Sequence, residues 1–301
     1  MKRSLTWLVV LVAGSSLFAG CQTDSSDRRS TRAGAQQGAT ADPGSDQAST
    51  ANQTVPPTST ATQPPTGGAP IVSPPPQPLP TTTGGTGGVS GLNELQSSSG
   101  LTYLINAPAP QAGKAYGLLV LLHGSDASNY RQLINTMAKV AGQYDLIRVS
   151  ALAPDGSGWN EGNQKQNAAQ LNQLIQNDLF QKYNIDKSRI LFSGQSSGGG
   201  FLSSDFVPLY ANSYHGGAFL LCGAAPPNER FLPTDDAKQH FRLHFEITSG
   251  DPIWPASYAK AVAAYQQLGM QLTKDESKPG GHCNFDQQQV ILDHIATILG
   301  P

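Results

Sequence analysis

Gly194-Gln195-Ser196-Ser197-Gly198 sets a serine between two glycines, directly after the apolar run Ile190-Leu191-Phe192-Ser193 and before Gly199-Gly200-Phe201-Leu202-Ser203-Ser204. A serine held in a tight strand-to-helix turn presents its Oγ clear of the backbone, and small flanking residues let strand and helix come close enough to form that turn. The chemistry open to such a serine is acyl transfer through a serine ester. That chemistry needs a base for the hydroxyl proton, a carboxylate to orient the base, and N–H donors for a developing oxyanion. The pattern alone is a weak signal, because a chain with 32 glycines produces short Gly/Ser strings by chance.

Partners occur at positions that strengthen it. Phe245-Glu-Ile-Thr-Ser-Gly250-Asp251-Pro252 reads as strand, glycine turn and acid, which makes Asp251 the candidate carboxylate. Glu246 falls inside the strand, and Asp235 and Asp236 read as solvated loop charges before it. His282, in Pro279-Gly280-Gly281-His282-Cys283-Asn284, is the candidate base. An imidazole with a pKa near 6.5 can accept the Ser196 proton and return it to a leaving group. His244 lies along a strand, His294 inside the last helix, and His215 and His240 precede the proposed acid. For the oxyanion, the backbone N–H of Ser197 is one expected donor. The other is the N–H of Ser125, in the loop Leu122-His123-Gly124-Ser125-Asp126, where His123 is expected to support the loop.

The elements that must carry these residues alternate strand and helix. Thr102–Asn106 reads as an early edge strand, and Tyr116–Leu122 as a strand buried on both faces. A helical stretch over 130–144 follows, then a strand over 146–152. Residues 164–183 carry Ala168, Leu171, Leu174, Ile175, Leu179 and Phe180 at helical spacing. After the serine come apolar strands near 218–221 and 243–248, a helix near 257–268, a weak strand at 270–273 and a last helix over 285–299. This order predicts an α/β domain, a doubly wound and mostly parallel sheet with helices on both faces, no large lid, and ligands at the C-terminal strand ends.

The ends bound the rest. Lys2 and Arg3 precede an apolar run, 5–18, too short for a comfortable membrane span of about 20 residues. Leu17-Phe18-Ala19-Gly20-Cys21 resembles the lipobox of bacterial lipoproteins, although Phe18 stands where leucine is commoner. The expected division is a signal peptide over 1–20, a tether over 21–92 lipidated at Cys21, and a catalytic domain over 93–301. Gln22, rather than Asp, resembles the pattern sorted to the outer membrane. The tether is rich in Ser, Thr, Gln, Ala, Gly and Pro and offers little apolar surface to offset ordering entropy. Its Gly84-Gly85-Thr86-Gly87-Gly88 run is expected to be flexible. A net charge of −2 and the lack of a dense basic patch argue against nucleic acid as a partner. Cys222 and Cys283 allow either a disulfide or two buried thiols.

Leu122-His123-Gly124-Ser125, Trp159-Asn160-Glu161, Tyr183-Asn-Ile-Asp186-Lys-Ser-Arg189, Gly194-x-Ser196-x-Gly198-Gly199 and Gly281-His282 occur in this order. In that, residues 100–300 resemble the α/β-hydrolase group of secreted poly(3-hydroxybutyrate) depolymerases and feruloyl and acetylxylan esterases. The resemblance is specific for the fold and weak for the substrate, and fits a Ser196–His282–Asp251 triad. The expected reaction is hydrolysis of an ester, including polysaccharide- or polymer-linked ones; it requires no metal or other cofactor, and a monomer is expected. The resemblance also places Trp159 near the mouth of the site, where it would stack on substrate or cap the core. Ser125 departs from the cysteine that several depolymerases carry after His-Gly, which weakens the polymer-hydrolase label. A serine peptidase of the same fold and a catalytically silent glycan- or peptide-binding lipoprotein are the alternatives.

Overall fold

The computed structural model describes residues 81–300, so the proposed signal peptide and Cys21 lie outside the described residues. Eight strands form one sheet: β1 (Gly91–Gln96), β2 (Thr102–Ala107), β3 (Tyr116–Leu122), β4 (Leu146–Ala151), β5 (Ile185–Gln195), β6 (Gly216–Leu221), β7 (Phe241–Glu246) and β8 (Leu272–Asp275). Their spatial order is β1-β2-β4-β3-β5-β6-β7-β8, with β1 and β2 antiparallel to their neighbours and the rest parallel. The chain leaves β3 for β4 on one side, then returns to build β5 to β8 on the other. The crevice above the adjacent C-terminal ends of β3 and β5 is therefore the topological switch point, where ligands bind in such sheets. The register sets Leu122 beside Gly194, so the His123 loop and Ser196 emerge level with each other.

Side-chain alternation along the strands builds two cores. Leu118, Val120 and Leu122 face one layer with Phe192, Phe206 and Tyr265; Leu119 and Leu121 face the other with Leu133, Val140, Val290 and Ile295. All seven residues of β3 are buried, as expected of a strand covered on both faces. Helices over 164–182, 197–210 and Pro255–Gln267 cover the first face; Tyr130–Thr136, Ala138–Gln143 and Gln287–Leu299 cover the second. The helix over 164–182 contains a π-helical stretch, Leu174–Leu179.

Besides β5, which starts at Ile185 rather than Ile190, and the 130–144 helix, which breaks at Met137, four elements differ from the sequence reading. β2 is not the edge, because β1 pairs outside it with a mostly exposed, polar pattern that offers no apolar alternation to detect. The last strand, β8, starts two residues later than expected. Asp235 and Asp236 open a short helix, Asp235–His240, capped by Thr234, whose Oγ1 accepts the Ala237 N–H at 3.1 Å. The fourth difference lies at the start of the described chain. Residues 81–89 do not continue a free tether: they lie against the start of β5. Thr83 N–H and Gly87 N–H donate to the carbonyls of Ile185 and Lys182, both at 3.0 Å, and Tyr183 Oη donates to Val89 O at 3.1 Å. Gly88 lies flat on the Tyr183 ring, where a Cβ would collide with the ring carbons. Gly85 and Gly88 make this close approach possible, whereas a Cβ on Gly84 or Gly87 would meet nothing within 4 Å.

Candidate active site

β5 ends at Gln195, and the chain reverses at Ser196 with φ 52° and ψ −115° before entering the helix over 197–210. That left-handed backbone is rare for a residue with a side chain and costs on the order of 1–3 kcal/mol. Close packing of the turn holds it. A Cβ on Gly198 would sit 2.6 Å from the His123 carbonyl oxygen, so only glycine lets the helix meet the β3 loop there. Among the described residues four non-glycine positions have positive φ, and three of them, Ser196, Cys222 and Cys283, converge at this site.

Ser196 Oγ lies 2.8 Å from His282 Nε2, and His282 Nδ1 lies 2.7 Å from Asp251 Oδ2. Asp251 must accept at Nδ1, so Nδ1 carries the proton and Nε2 is left to receive the serine hydroxyl. The other carboxylate oxygen, Oδ1, accepts the N–H groups of Ile253 at 2.8 Å and Trp254 at 3.1 Å. Burial pushes the Asp251 carboxyl up, but the His282 hydrogen bond and these two amides outweigh it and hold it below the ordinary carboxylate value. Ser196 and His282 are partly exposed, whereas Asp251 is buried.

The histidine loop is tied down at several points. Thr248 Oγ1 donates to Gly281 O at 2.9 Å, Ser249 N–H donates to Lys278 O at 2.9 Å, and Cys283 is disulfide-bonded to Cys222, just beyond β6. The pairing left open by sequence is thus a disulfide next to His282.

On the opposite side, Gly124 lies against the serine, with the space a Cβ would fill 3.4 Å from Ser196 Cβ. His123 is fully buried and supports this loop. Its Nε2 accepts the Ala153 N–H at 3.0 Å, which leaves Nδ1–H to donate to Gly124 O at 2.7 Å. Burial lowers its pKa and favours this neutral form. The carbonyl of Gly124 and the N–H of Ser125 belong to one trans peptide, so His123 turns the Ser125 N–H away from itself. Ser197 is the first residue of the helix, where backbone N–H groups lack intrahelical partners.

Trp159 needs correction. It is fully buried, with its ring 5.1 Å from Phe201 and 6.0 Å from His123, so it braces the His123 loop from beneath and cannot touch a substrate. A groove of ≈ 240 Å³ lined by Asn129, Gln132, Gln195, Phe285 and Gln287 reaches Gln195, the residue before the nucleophile, but neither Ser196 nor His282 lines it. Asn129 Nδ2 donates to Gln195 Oε1 at 3.2 Å. Sequence reasoning missed Asn129 because a lone amide in a turn has no motif. A tighter apolar cavity lies at the other end of the sheet, between Tyr116, Ile147 and Tyr183, far from the serine.

No protein-family model and no curated protein matches this sequence. Solved structures do. A thermostable esterase superposes with a TM-score of 0.53 at 16% identity over 69% of this chain, which spans only 61% of that protein's length. A Bacillus cereus carboxylesterase gives 0.53 at 14% identity, over 66% of this chain and 94% of its own. The feruloyl esterase module from Clostridium thermocellum, solved with sinapinate, gives 0.50 at 13% identity, over 74% and 93%. The chain has the α/β-hydrolase fold. In that fold the nucleophile follows the strand beside the switch point, the acid follows a later strand and the histidine lies in the last loop. Ser196, Asp251 and His282 occupy those three places.

Proposed function

We propose that this protein is a serine carboxylic-ester hydrolase acting outside the cytoplasm. The observation that carries the reading is the continuous relay from Ser196 Oγ through His282 to buried Asp251, set at a strained strand-to-helix turn. Ser196 Oγ attacks the ester carbonyl carbon while its proton passes to His282 Nε2. The oxyanion is met by the N–H groups of Ser197 and Ser125. Asp251 stabilises the imidazolium, which then protonates the departing alcohol oxygen, leaving an acyl-Ser196 ester. Water attacks that ester, with His282 taking its proton and returning it to Ser196 Oγ as the carboxylic acid leaves.

The cellular setting is part of the same reading. The lipobox-like Leu17–Cys21 pattern supports lipidation at Cys21, a tether and an outer-membrane address. The Cys222–Cys283 disulfide is in keeping with an oxidising compartment. No helix among the described residues is long and apolar enough to cross a membrane.

Labelling with a fluorophosphonate probe, compared with Ser196→Ala, tests the chemistry. The wild-type protein is expected to label at Ser196 and the variant not at all, and a p-nitrophenyl ester series then ranks acyl length. A well-folded wild-type protein that neither labels nor hydrolyses any of these esters overturns the reading.

A further inference from the structure

On that reading of Ser196 and His282, catalysis depends on a long loop, 276–284, holding one imidazole in place. Glu246, the last residue of β7, joins both ends of this loop. It is fully buried, and its Oε1 faces Lys278 Nζ at 2.8 Å as an ion pair near the loop's entry. Its backbone carbonyl accepts the Cys222 N–H at 2.7 Å, and Cys222 is bridged to Cys283 at the exit. Lys278 is pinned further by Asp275 Oδ2 at 2.7 Å, and its own carbonyl is held by Ser249 in the acid's loop.

Behind the pair, Glu246 Oε2 lies 3.1 Å from His244 Nε2, and His244 Nδ1 lies 2.8 Å from Thr273 Oγ1. His244 stacks on His294 of the last helix at 3.9 Å between ring centres. His244 is hydrogen-bonded at both ring nitrogens and Glu246 at Oε2, while Glu246 Oε1 meets Lys278 as an ion pair without hydrogen-bond geometry, so among the described residues Lys278 is the one group that answers that buried oxygen. An apolar residue would occupy a fully buried strand end with no desolvation penalty, and a buried ion pair is weak evidence for stability. What this pair adds is a fixed geometry between the strand that leads to the acid and the loop that carries the base.

We propose that Glu246 is a positioning residue for His282, acting through Lys278 to hold the imidazole between Ser196 and Asp251. It touches neither the substrate nor the reacting atoms. A misplacement of about 1 Å at a reacting group can cost roughly 100-fold in rate, so a slackened loop should show in turnover rather than in binding.

The test uses the full-length chain, a p-nitrophenyl ester and fluorophosphonate labelling. Glu246→Gln keeps the shape and removes the charge. It is expected to lower kcat and the labelling rate together, roughly tenfold, with KM within about twofold of wild type. Lys278→Met is expected to match it, Lys278→Arg to recover most of the loss, and the Glu246→Gln/Lys278→Met double variant to be no worse than either single change. Lys278 is one-third exposed and tolerates replacement, so the Met and Arg variants decide the matter if Glu246→Gln fails to fold. The proposal is overturned if labelling and kcat stay within about twofold of wild type, if only KM moves, or if the two losses multiply. A wild-type protein inert to both probe and ester overturns the hydrolase reading and this role with it.

Discussion

Two glycine-rich segments meet β5 at its opposite ends. Gly84-Gly85-Thr86-Gly87-Gly88 lies on Tyr183 and Lys182 where the strand begins, and Gly194–Gly199 turns the chain around Ser196 where it ends, roughly 30 Å away by the rise of an eleven-residue strand. Both use glycine for the same physical reason, a backbone approach that a Cβ would block. At the first, Gly85 meets the Lys182–Tyr183 backbone and Gly88 the Tyr183 ring, and the result is a clasp. At the second the neighbours are other backbones, and the result is a strained serine facing an imidazole. Individual glycines, Gly85 and Gly88 at one end and Gly194, Gly198 and Gly199 at the other, mark the close approach, and what the turn then presents sets the purpose.

The sharpest way to break this contrast is at the catalytic end. Ser196→Ala is expected to cut kcat by about 10⁴-fold or more while leaving thermal unfolding nearly unchanged. Asp251→Asn is expected to cost about 10³- to 10⁴-fold, since the amide oxygen is kept by the Ile253 and Trp254 N–H groups and the amide NH2 then donates to Nδ1, leaving the proton on Nε2. It also carries a pH signature. The Asp251 carboxyl is held below its ordinary value when folded, so its ionised form stabilises the fold at pH values above about 4, and that contribution is lost as pH falls through the lowered value. The stability gap between wild type and Asp251→Asn, measured by urea unfolding, is expected to be widest at neutral pH and to close towards pH 2. A gap that widens on acidification would mean that the relay does not hold the carboxylate ionised.

A smaller effect is expected from the disulfide that backs the histidine. Cys222→Ser/Cys283→Ser removes a bridge across a sequence separation of 61 residues and is expected to lower stability by about 2–4 kcal/mol. Turnover should fall as well, because the bridge anchors the residue next to His282. Unchanged turnover at a temperature where the variant is fully folded would show that the Thr248–Gly281 and Ser249–Lys278 hydrogen bonds suffice to hold the loop.

How much of this was legible in sequence follows from range. The elbow, the acid after a glycine turn and the glycine-flanked histidine carry local signals, because turn chemistry and strand order constrain them directly. β3 and β6 announce themselves as apolar runs, and β5 only from Ile190 on, since its first residues include Asp186, Lys187 and Arg189. β1 does not: it is an edge strand whose stability comes from pairing with β2, and its exposed residues alternate no apolar face. Trp159 was readable as an aromatic near the site, yet its side of the loop depends on how Phe201 and His123 pack, which no spacing encodes. Glu246 was set aside for lying inside a strand. Its partner Lys278 is 32 positions later, and only the parallel pairing of β7 with β8 brings them together.

The clasp gives the smallest expected effect on chemistry and the clearest test of the comparison. Gly88→Val forces a side chain into the Tyr183 ring, so residues 81–89 must lift or Tyr183 must shift. Overpacking of this kind costs typically about 1–3 kcal/mol, with lifting of the segment as the way to relieve it. Turnover of a small soluble ester is expected to stay within about twofold of wild type, because Ser196 lies at the far end of β5. Limited proteolysis near residues 81–90 is expected to become faster. Tyr183→Phe, which removes only the bond to Val89 O, is expected to have a milder effect of about 1 kcal/mol in the same assay. If Gly88→Val instead lowers kcat while proteolysis is unchanged, the two ends of β5 are coupled, and the segment before β1 belongs to the catalytic machinery rather than to the attachment of the domain.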